Sequence, residues 1–290
     1  MKTSVIITTF NRPESLVGAV NSVLDQNSLP LEIIIVNDGF ENEVINDLKK
    51  TPLVAVYTNK VSSGANYSRN KGAKLAKGDV LMFLDDDDTW ERNKIKDQIE
   101  IFQNDINIGL VYSGKIMVYD TDRSKEIYRV PANKSGFLYP EILERNIIGT
   151  TSSVAIKREV FFKAGGFDEE FPAMQDYDLW VRVCQQVPVE GDGKFNVRYT
   201  LNKNPKKAQI SNSGNNQEIA SRLFLEKYSP LYMKEGVSLR KRKSRLYFYI
   251  AKSLRNKDFK KSFNFAMKSF WAFPNLPSLA ILLLKDLRKF

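Results

Sequence analysis

The run Leu84-Asp85-Asp86-Asp87-Asp88-Thr89-Trp90 follows directly on the apolar stretch Val80-Leu81-Met82-Phe83. Four adjacent carboxylates repel one another. At the end of a buried strand they cost on the order of several kcal/mol unless solvated, paired or bound to a cation. Hard divalent cations take oxygen donors, and Mg²⁺ or Mn²⁺ in nucleotide-using enzymes is held by one or two carboxylates plus substrate phosphates. Side chains alternate along extended chain, so Asp85 and Asp87 are expected on one face and Asp86 and Asp88 on the other. The pair Asp85/Asp87 reads as a metal-and-sugar clamp. The structural alternative is a cap on a helix starting near Trp90, made by Asp88 or Thr89, but a cap needs one carboxylate and not four.

The chain has no histidine. That excludes Ser-His-Asp and Cys-His catalysis and zinc sites built on imidazole, and leaves acid–base work to Asp, Glu, Lys or Tyr. Cys184 is the single cysteine, so no intramolecular disulfide forms; a buried apolar role and an intracellular setting are expected. Met1-Lys2-Thr3-Ser4-Val5-Ile6-Ile7 enters a strand pattern with no secretory signal.

These residues need a scaffold. Up to about residue 115, β-branched runs alternate with helical patterns: strands at 4–8, 32–36, 53–57, 80–84 and 108–113, helices at 13–26, 42–50, 64–76 and 91–104. Such alternation predicts right-handed βαβ units, a mostly parallel sheet, and ligands beyond the carboxyl ends of its strands. Thr8, Thr9, Asn11 and Arg12 after the first strand, Asn37, Asp38 and Gly39 after the second, and Asp85–Asp88 after the fourth should therefore meet. A strand-end aspartate can accept two hydrogen bonds from a base or ribose edge, and Arg12 can face a pyrophosphate. Asp38-Gly39 also fits a plain turn in which glycine supplies positive φ. Gly64 permits a tight entry to the following helix, where Arg69 can reach the nucleotide or the acidic run.

The ordered set Val5-Ile6-Ile7-Thr8-Thr9-Phe10-Asn11-Arg12-Pro13, Ile35-Val36-Asn37-Asp38-Gly39, Gly64-x-Asn66-x-x-Arg69-Asn70-x-Gly72 and Phe83-Leu84-Asp85-Asp86-Asp87-Asp88 resembles the family 2 inverting glycosyltransferases. Gly165-Gly166-Phe167-Asp168-Glu169 and Gln175-Asp176-Tyr177-Asp178-Leu179-Trp180-Val181-Arg182 continue the likeness. The resemblance implies an α/β GT-A (Rossmann-like) nucleotide-diphospho-sugar transferase domain over residues 1–215. Its nucleotide-sugar-binding half would be 1–115 and its acceptor half 116–215, with a basic α-helical extension over 216–290.

It implies a hexosyltransferase that moves a sugar from a UDP-sugar, with Mn²⁺ or Mg²⁺ as cofactor, to a hydroxyl of a glycan or lipid-linked acceptor in bacterial surface-polysaccharide synthesis. Asp38 takes the place on uracil, with Thr8, Phe10 and Arg12 around the nucleotide. Asp85 is turned toward ribose or sugar and Asp87 toward the metal. Asp176, the second acid of the family's Glu-Asp pair, is the implied base. Two positions depart from the pattern. Gln175 replaces the acid before the base, and the segment Asn204-Pro205-Lys206-Lys207-Ala208-Gln209-Ile210-Ser211 lacks the family's histidine, so that either a lysine meets the diphosphate instead or the third metal contact is missing.

Asp178 is expected to serve the helix start, where acids meet the N-terminal dipole. Trp180 is expected in the core, with stacking on the acceptor as the alternative. The Gln-x-x-Arg-Trp pattern of processive members is missing and no apolar stretch approaches twenty residues, so a single-addition enzyme is expected. Rival readings are an inactive nucleotide-sugar-binding relative, suggested by Gln175, and a haloacid-dehalogenase-type phosphatase, suggested by Asp85-x-Asp87-x-Thr89. The second expects its motif after the first strand of the chain.

The 290 residues, 42% hydrophobic, carry a net charge of +10. Residues 236–290 hold 14 Lys and Arg against 2 Asp and Glu, while 1–235 hold 30 against 32. Helices are expected at 217–228, 239–255, 259–273 and 278–287. Arg240-Lys241-Arg242-Lys243-Ser244-Arg245-Leu246-Tyr247-Phe248-Tyr249 sets basic residues beside aromatics, as an interfacial helix on an anionic inner leaflet would. A subdomain packed on the catalytic part is the alternative. No nucleic-acid module is present. The expected setting is cytoplasmic, peripheral on the inner face of the plasma membrane.

Overall fold

A computed structural model describes residues 1–203 and 213–283. The chain forms two compact units, one of Met1–Leu138, Ile147–Glu169 and Leu179–Lys203. The other takes, among described residues, 139–146, 170–178 and 213–283.

In the first unit β1 (Thr3–Thr9), α1 (Pro13–Leu24), β2 (Glu32–Asn37), α2 (Glu43–Leu48), β3 (Val54–Thr58), α3 (Ala65–Leu75) and β4 (Val80–Asp85) follow the expected alternation. Next come β5 (Thr89–Trp90), α4 (Lys94–Asn104), β6 (Leu110–Tyr112), β7 (Lys115–Tyr119), β8 (Asp122–Val130), β9 (Val154–Lys157) and α5 (Arg158–Lys163). After α6 (Gln175–Cys184), β10 (Val189–Gly191) and β11 (Val197–Leu201) complete the strands. The main sheet has the order β10-β6-β9-β4-β1-β2-β3, and a second sheet the order β5-β11-β7-β8.

β1 pairs in parallel with both β2 and β4. The near-continuous apolar runs Val5-Ile6-Ile7, Ile33-Ile34-Ile35-Val36 and Val80–Leu84 are buried on both faces, as parallel strands under helices must be. The register sets Thr8 opposite Asp85 and Thr9 opposite Asn37, so three neighbouring strands end level. Gly72 lets α3 lie close on the sheet; a Cβ there would meet Ile6 Cγ2 at 2.5 Å.

The main sheet is mostly parallel as expected, with β9 alone running antiparallel, between β4 and β6, and the predicted 108–113 strand is β6. Other expectations are corrected. The second sheet, built partly from non-consecutive strands, carried no short-range signal. Strand alternation does not extend through the acidic run: β4 ends at Asp85, and the Asp88 N–H donates to the Asp85 carbonyl at 3.1 Å, closing a turn over Asp86 and Asp87. Thr89 and Trp90 are strand, and α4 starts only at Lys94, so neither Asp88 nor Thr89 caps it. Gly39 lies outside the positive-φ residues. Glycine is needed there because a Cβ would collide with the Asn11 side chain.

In the second unit the described helices are α7 (Gly214–Lys234), α8 (Leu239–Leu254), α9 (Phe259–Ala272) and α10 (Leu276–Leu283). Ser213, Ser238 and Asp258 cap α7, α8 and α9 by accepting from the backbone N–H groups of Asn216, Lys241 and Lys261. Ile250, Ala251, Phe265, Ala266 and Ile281 form their core. Small hydroxyls bring α8 and α9 close: the Ser269 hydroxyl donates to the Ser244 carbonyl at 2.7 Å, and Ser262 donates to Ala251 at 2.8 Å. The lysines at 206 and 207 and the end of the predicted 278–287 helix lie outside the described residues.

Candidate active site

At the end of β2, Asp38 is 7% exposed. One carboxylate oxygen accepts from Asn59 Nδ2 (2.6 Å) and the Ser63 N–H (2.8 Å), the other from Ser62 Oγ (2.9 Å) and the Gly64 N–H (2.8 Å). A carboxylate offers about four lone-pair positions, so all are used within the protein. Burial pushes the Asp38 pKa up, and the four donors outweigh it, holding the group below its ordinary value. Expected as an open acceptor for a base edge, Asp38 instead fixes the loop entering α3, where Gly64 takes φ 87°.

At the end of β4 the four carboxylates have four different surroundings. Asp85 is held by Arg69 Nη2 at 2.6 Å and by the Thr151 hydroxyl, 3.2 Å from both oxygens. Asp86 accepts from the Thr9 hydroxyl at 2.8 Å and from Arg12 Nη1 at 3.3 Å. Asp87 accepts from Arg12 Nη1 at 3.1 Å. Asp88, 1% exposed, accepts from Ser152 Oγ at 2.6 Å and the Thr200 N–H at 2.9 Å.

Burial is the first cause of the upward pKa shifts in this turn. Asp86 is raised by burial against the opposing Arg12 and Thr9. Asp87 is pushed up to about 6 by burial and then by the charges of Asp85 and Asp86. Asp88 is raised well above its ordinary value by burial, then by Asp87 and Asp85. This concentration of negative charge attracts a cation. No group of three or more His, Cys, Asp or Glu side chains suited to a metal forms among the described residues. Asp85 and Asp87 give two hard oxygen donors, which fits Mg²⁺ or Mn²⁺ completed by phosphate oxygens better than an all-protein cage. Arg69 adds a second sign of an anionic ligand: its buried Nη1 has no hydrogen-bond partner. Its guanidinium lies 5.5 Å from the Phe167 ring centroid.

The structure thus brings Thr8, Arg12, Arg69, Asp85 and Asp87 to one strand-end turn. Phe10, 54% exposed, stands beside it on the loop after β1, and the Asp38 N–H donates to the Thr9 carbonyl at 2.9 Å. Arg12, expected at a pyrophosphate, is engaged by the acidic turn. Trp180 is fully buried and donates from Nε1 to the Gly149 carbonyl at 2.8 Å, so it is core and not an acceptor platform. Cys184 is buried and its thiol is pushed up to about 12 by burial, the apolar role expected of it.

Asp176 belongs to the second unit, where Asn146 Nδ2 donates to Oδ2 at 3.4 Å and the Tyr177 N–H to Oδ1 at 2.7 Å. Asp178 is fully buried, bound by Tyr228 Oη at 2.7 Å and Lys227 Nζ at 2.9 Å, a structural role as expected.

Thr9, expected at the strand end, holds Asp86, but sequence reasoning missed Thr151 and Ser152, which hold Asp85 and Asp88. The hydroxyl run Thr150-Thr151-Ser152-Ser153 before an apolar strand was their only signal. Trp90 Nε1 and Gln98 Nε2 anchor this run through the Ser152 and Ser153 carbonyls, both at 2.9 Å.

A mixed sheet with an acidic turn at its central strand ends is the GT-A glycosyltransferase architecture. The model for glycosyl transferase family 2 matches residues 4–165, and the chain belongs to that family. An uncharacterised glycosyltransferase of Haemophilus influenzae is 30% identical over 63% of this chain and 62% of its own length. The glucosyl-dolichyl phosphate glucuronosyltransferase of Haloferax volcanii is 36% identical over 58% of this chain and 56% of its own. A protein of Escherichia coli K12 provisionally named a colanic acid biosynthesis glycosyl transferase, WcaA, is 30% identical over 62% and 65%. The chain spans less than two thirds of the length of each of these relatives. Among solved structures, S. aureus TarS 1–349 in complex with UDP-GlcNAc aligns at TM-score 0.64 and 16% identity, covering 94% of this chain and 82% of that one. That likeness concerns the fold.

Proposed function

We propose that the protein is an inverting, metal-dependent, single-addition transferase, moving a sugar from a UDP-sugar to a hydroxyl of a glycan or lipid-linked acceptor in cell-surface polysaccharide synthesis. The observation that carries this reading is the strand-end turn, in which Asp85 and Asp87 stand in a concentration of carboxylate charge with Arg12 and Arg69 against them. Support for the donor comes from TarS, solved with UDP-GlcNAc and with UDP. Support for the pathway comes from the colanic acid relative.

Thr8, Phe10, Arg12 and the loop held by Asp38 bind the nucleotide. Asp85, steadied by Arg69 and Thr151, orients the ribose or sugar. Asp87 would hold Mn²⁺ or Mg²⁺, which when bound would stabilise the negative charge developing on the departing UDP. Arg12 and Arg69 provide further positive charge for that leaving group. Asp176 accepts the proton of the acceptor hydroxyl as it attacks the anomeric carbon, the work of a general base in a chain without histidine. Gln175 leaves that base without an ionised sequence neighbour.

A panel of nucleotide sugars with Mn²⁺ or Mg²⁺, read by nucleotide release, tests this against Asp87→Ala and Asp176→Asn. Release from one UDP-sugar, lost in both variants and on chelation, supports the reading. Metal-dependent binding of a UDP-sugar without turnover on any acceptor favours the inactive relative. The phosphatase alternative falls with the family assignment, since β4 is the fourth strand of the chain and not the first.

For the C-terminal helices we propose an anionic inner-leaflet surface as partner. Phe259, Phe263 and Trp271 of α9 are 50%, 38% and 71% exposed and interleave with exposed Lys260, Lys261 and Lys268. That mixture suits a headgroup boundary. No helix among the described residues is long and apolar enough to cross a membrane. Flotation with anionic but not neutral vesicles, lost on replacing the three lysines, supports this; unchanged flotation overturns it.

A further inference from the structure

Of the basic cluster in α8, Arg242 faces inward. It is 3% exposed and forms no ion pair with a carboxylate among the described residues, and its buried Nε has no hydrogen-bond partner. Its guanidinium instead rests 4.5 Å from the ring centroid of Tyr177 and 4.6 Å from that of Phe224, two rings that stack with centroids 4.8 Å apart. A desolvated cation is strongly drawn to such faces.

Tyr177 immediately follows the proposed base. Its N–H donates to Asp176 Oδ1, and its hydroxyl donates to the Ile142 carbonyl at 2.6 Å, with the Leu143 carbonyl at 3.0 Å. The other oxygen of Asp176 accepts from Asn146, at the end of that same 139–146 segment. The C-terminal helices hold this segment too. Tyr232 of α7 donates to the Leu143 carbonyl, and Arg245 of α8 donates from Nη1 to the Glu144 carbonyl at 2.7 Å. Two groups that bond the Asp176 carboxylate, the Tyr177 backbone and Asn146, therefore rest on α7 and α8.

We infer that α7 and α8 belong to the catalytic apparatus and that Arg242 is a positioning residue for Asp176, acting through Tyr177. The inference rests on Asp176 being the base. It gives part of the basic tail a role in turnover, separate from any surface the exposed lysines meet.

The test uses the full chain and the UDP-sugar that the panel identifies. Arg242→Met keeps the bulk of the side chain and removes its charge; Arg242→Lys restores a cation. The expected result for Arg242→Met is a fall in kcat of about tenfold or more, comparable to losing one buried cation–π contact. Its KM for the UDP-sugar should stay within about twofold, because uniform binding is untouched, and Arg242→Lys should recover part of the rate. In the Asp176→Asn background the same substitution should change the residual rate little, because a residue acting through the base has nothing left to act on. Tyr232→Phe, which removes one hydroxyl, should give a weaker form of the same kcat effect and serves if Arg242→Met does not fold.

An unchanged kcat in folded Arg242→Met, or an equal loss with and without Asp176, overturns the inference while leaving the base assignment standing. Full activity of Asp176→Asn overturns the base assignment, and the inference with it.

Discussion

Arg12 Nη1 stands 3.1 Å from Asp87 Oδ2. The same nitrogen reaches Asp86 at 3.3 Å, so one guanidinium spans the turn that follows β4. A divalent ion arriving on Asp87 must share the carboxylate with this cation.

Arg12→Met should therefore separate metal binding from catalysis. Removing a neighbouring positive charge strengthens Mn²⁺ binding, while losing a group that stabilises the departing diphosphate slows transfer. The expected outcome is a lower Mn²⁺ Kd by titration with a kcat reduced by about 10- to 100-fold. Weaker Mn²⁺ binding in the variant would show that Arg12 builds the metal site instead of competing with it.

The raised pKa of Asp87 predicts two opposite pH effects. Metal binding needs the ionised carboxylate, so metal-dependent turnover should fall as pH drops through about 6. In the metal-free protein the sign reverses. A folded pKa above the unfolded value means the folded state binds more protons between them. The stabilisation is then full below the ordinary carboxylate value of 3.8 and lost as pH rises through about 6. Asp87→Asn, which mimics the protonated group, should raise the Tm of the chelated protein by about 2–4 °C at pH 7 and by less at pH 5. Thermal scans at both pH values check this; an equal gain at both would place the effect elsewhere.

Asp38→Asn replaces two acceptor positions with donors facing Ser62 and Gly64, or Asn59 and Ser63. Hydrogen bonds to a charged group contribute about 1.5–3 kcal/mol each, and a buried unpaired donor costs more. A loss of about 2–4 kcal/mol in urea unfolding is expected, with the KM for the UDP-sugar rising more than kcat falls. Unchanged stability with a raised KM would instead make Asp38 a direct ligand of the base.

The βαβ alternation, the acidic strand end and the helix after Gly64 were legible because they rest on short-range patterns. Val5-Ile6-Ile7, Ile33–Val36 and Val80–Leu84 could be little else than buried parallel strands. β9 was not legible, since Val154–Lys157 is a four-residue apolar run whose direction is set by its partners β4 and β6. Thr151 and Ser152 were missed for a related reason. A hydroxyl is an ordinary surface residue until the fold brings a carboxylate within 3 Å or so of it.

The order of residues along the chain settles which groups are available for chemistry: four consecutive carboxylates, two arginines, an aspartate before Tyr177 and no histidine. Tertiary structure decided how each is used. Sequence alternation would have made Asp85 and Asp87 equivalent, but the turn at Asp86-Asp87 ends the strand. Asp85 is thereby left to Arg69 and Thr151, Asp87 to Arg12, and Asp88 to a buried pair of donors. The same holds at the other end of the chain, where Arg242 is one basic residue among several in sequence. Only packing against Tyr177 and Phe224 distinguishes it, because burial of a charge is a property of its surroundings and not of its neighbours along the chain.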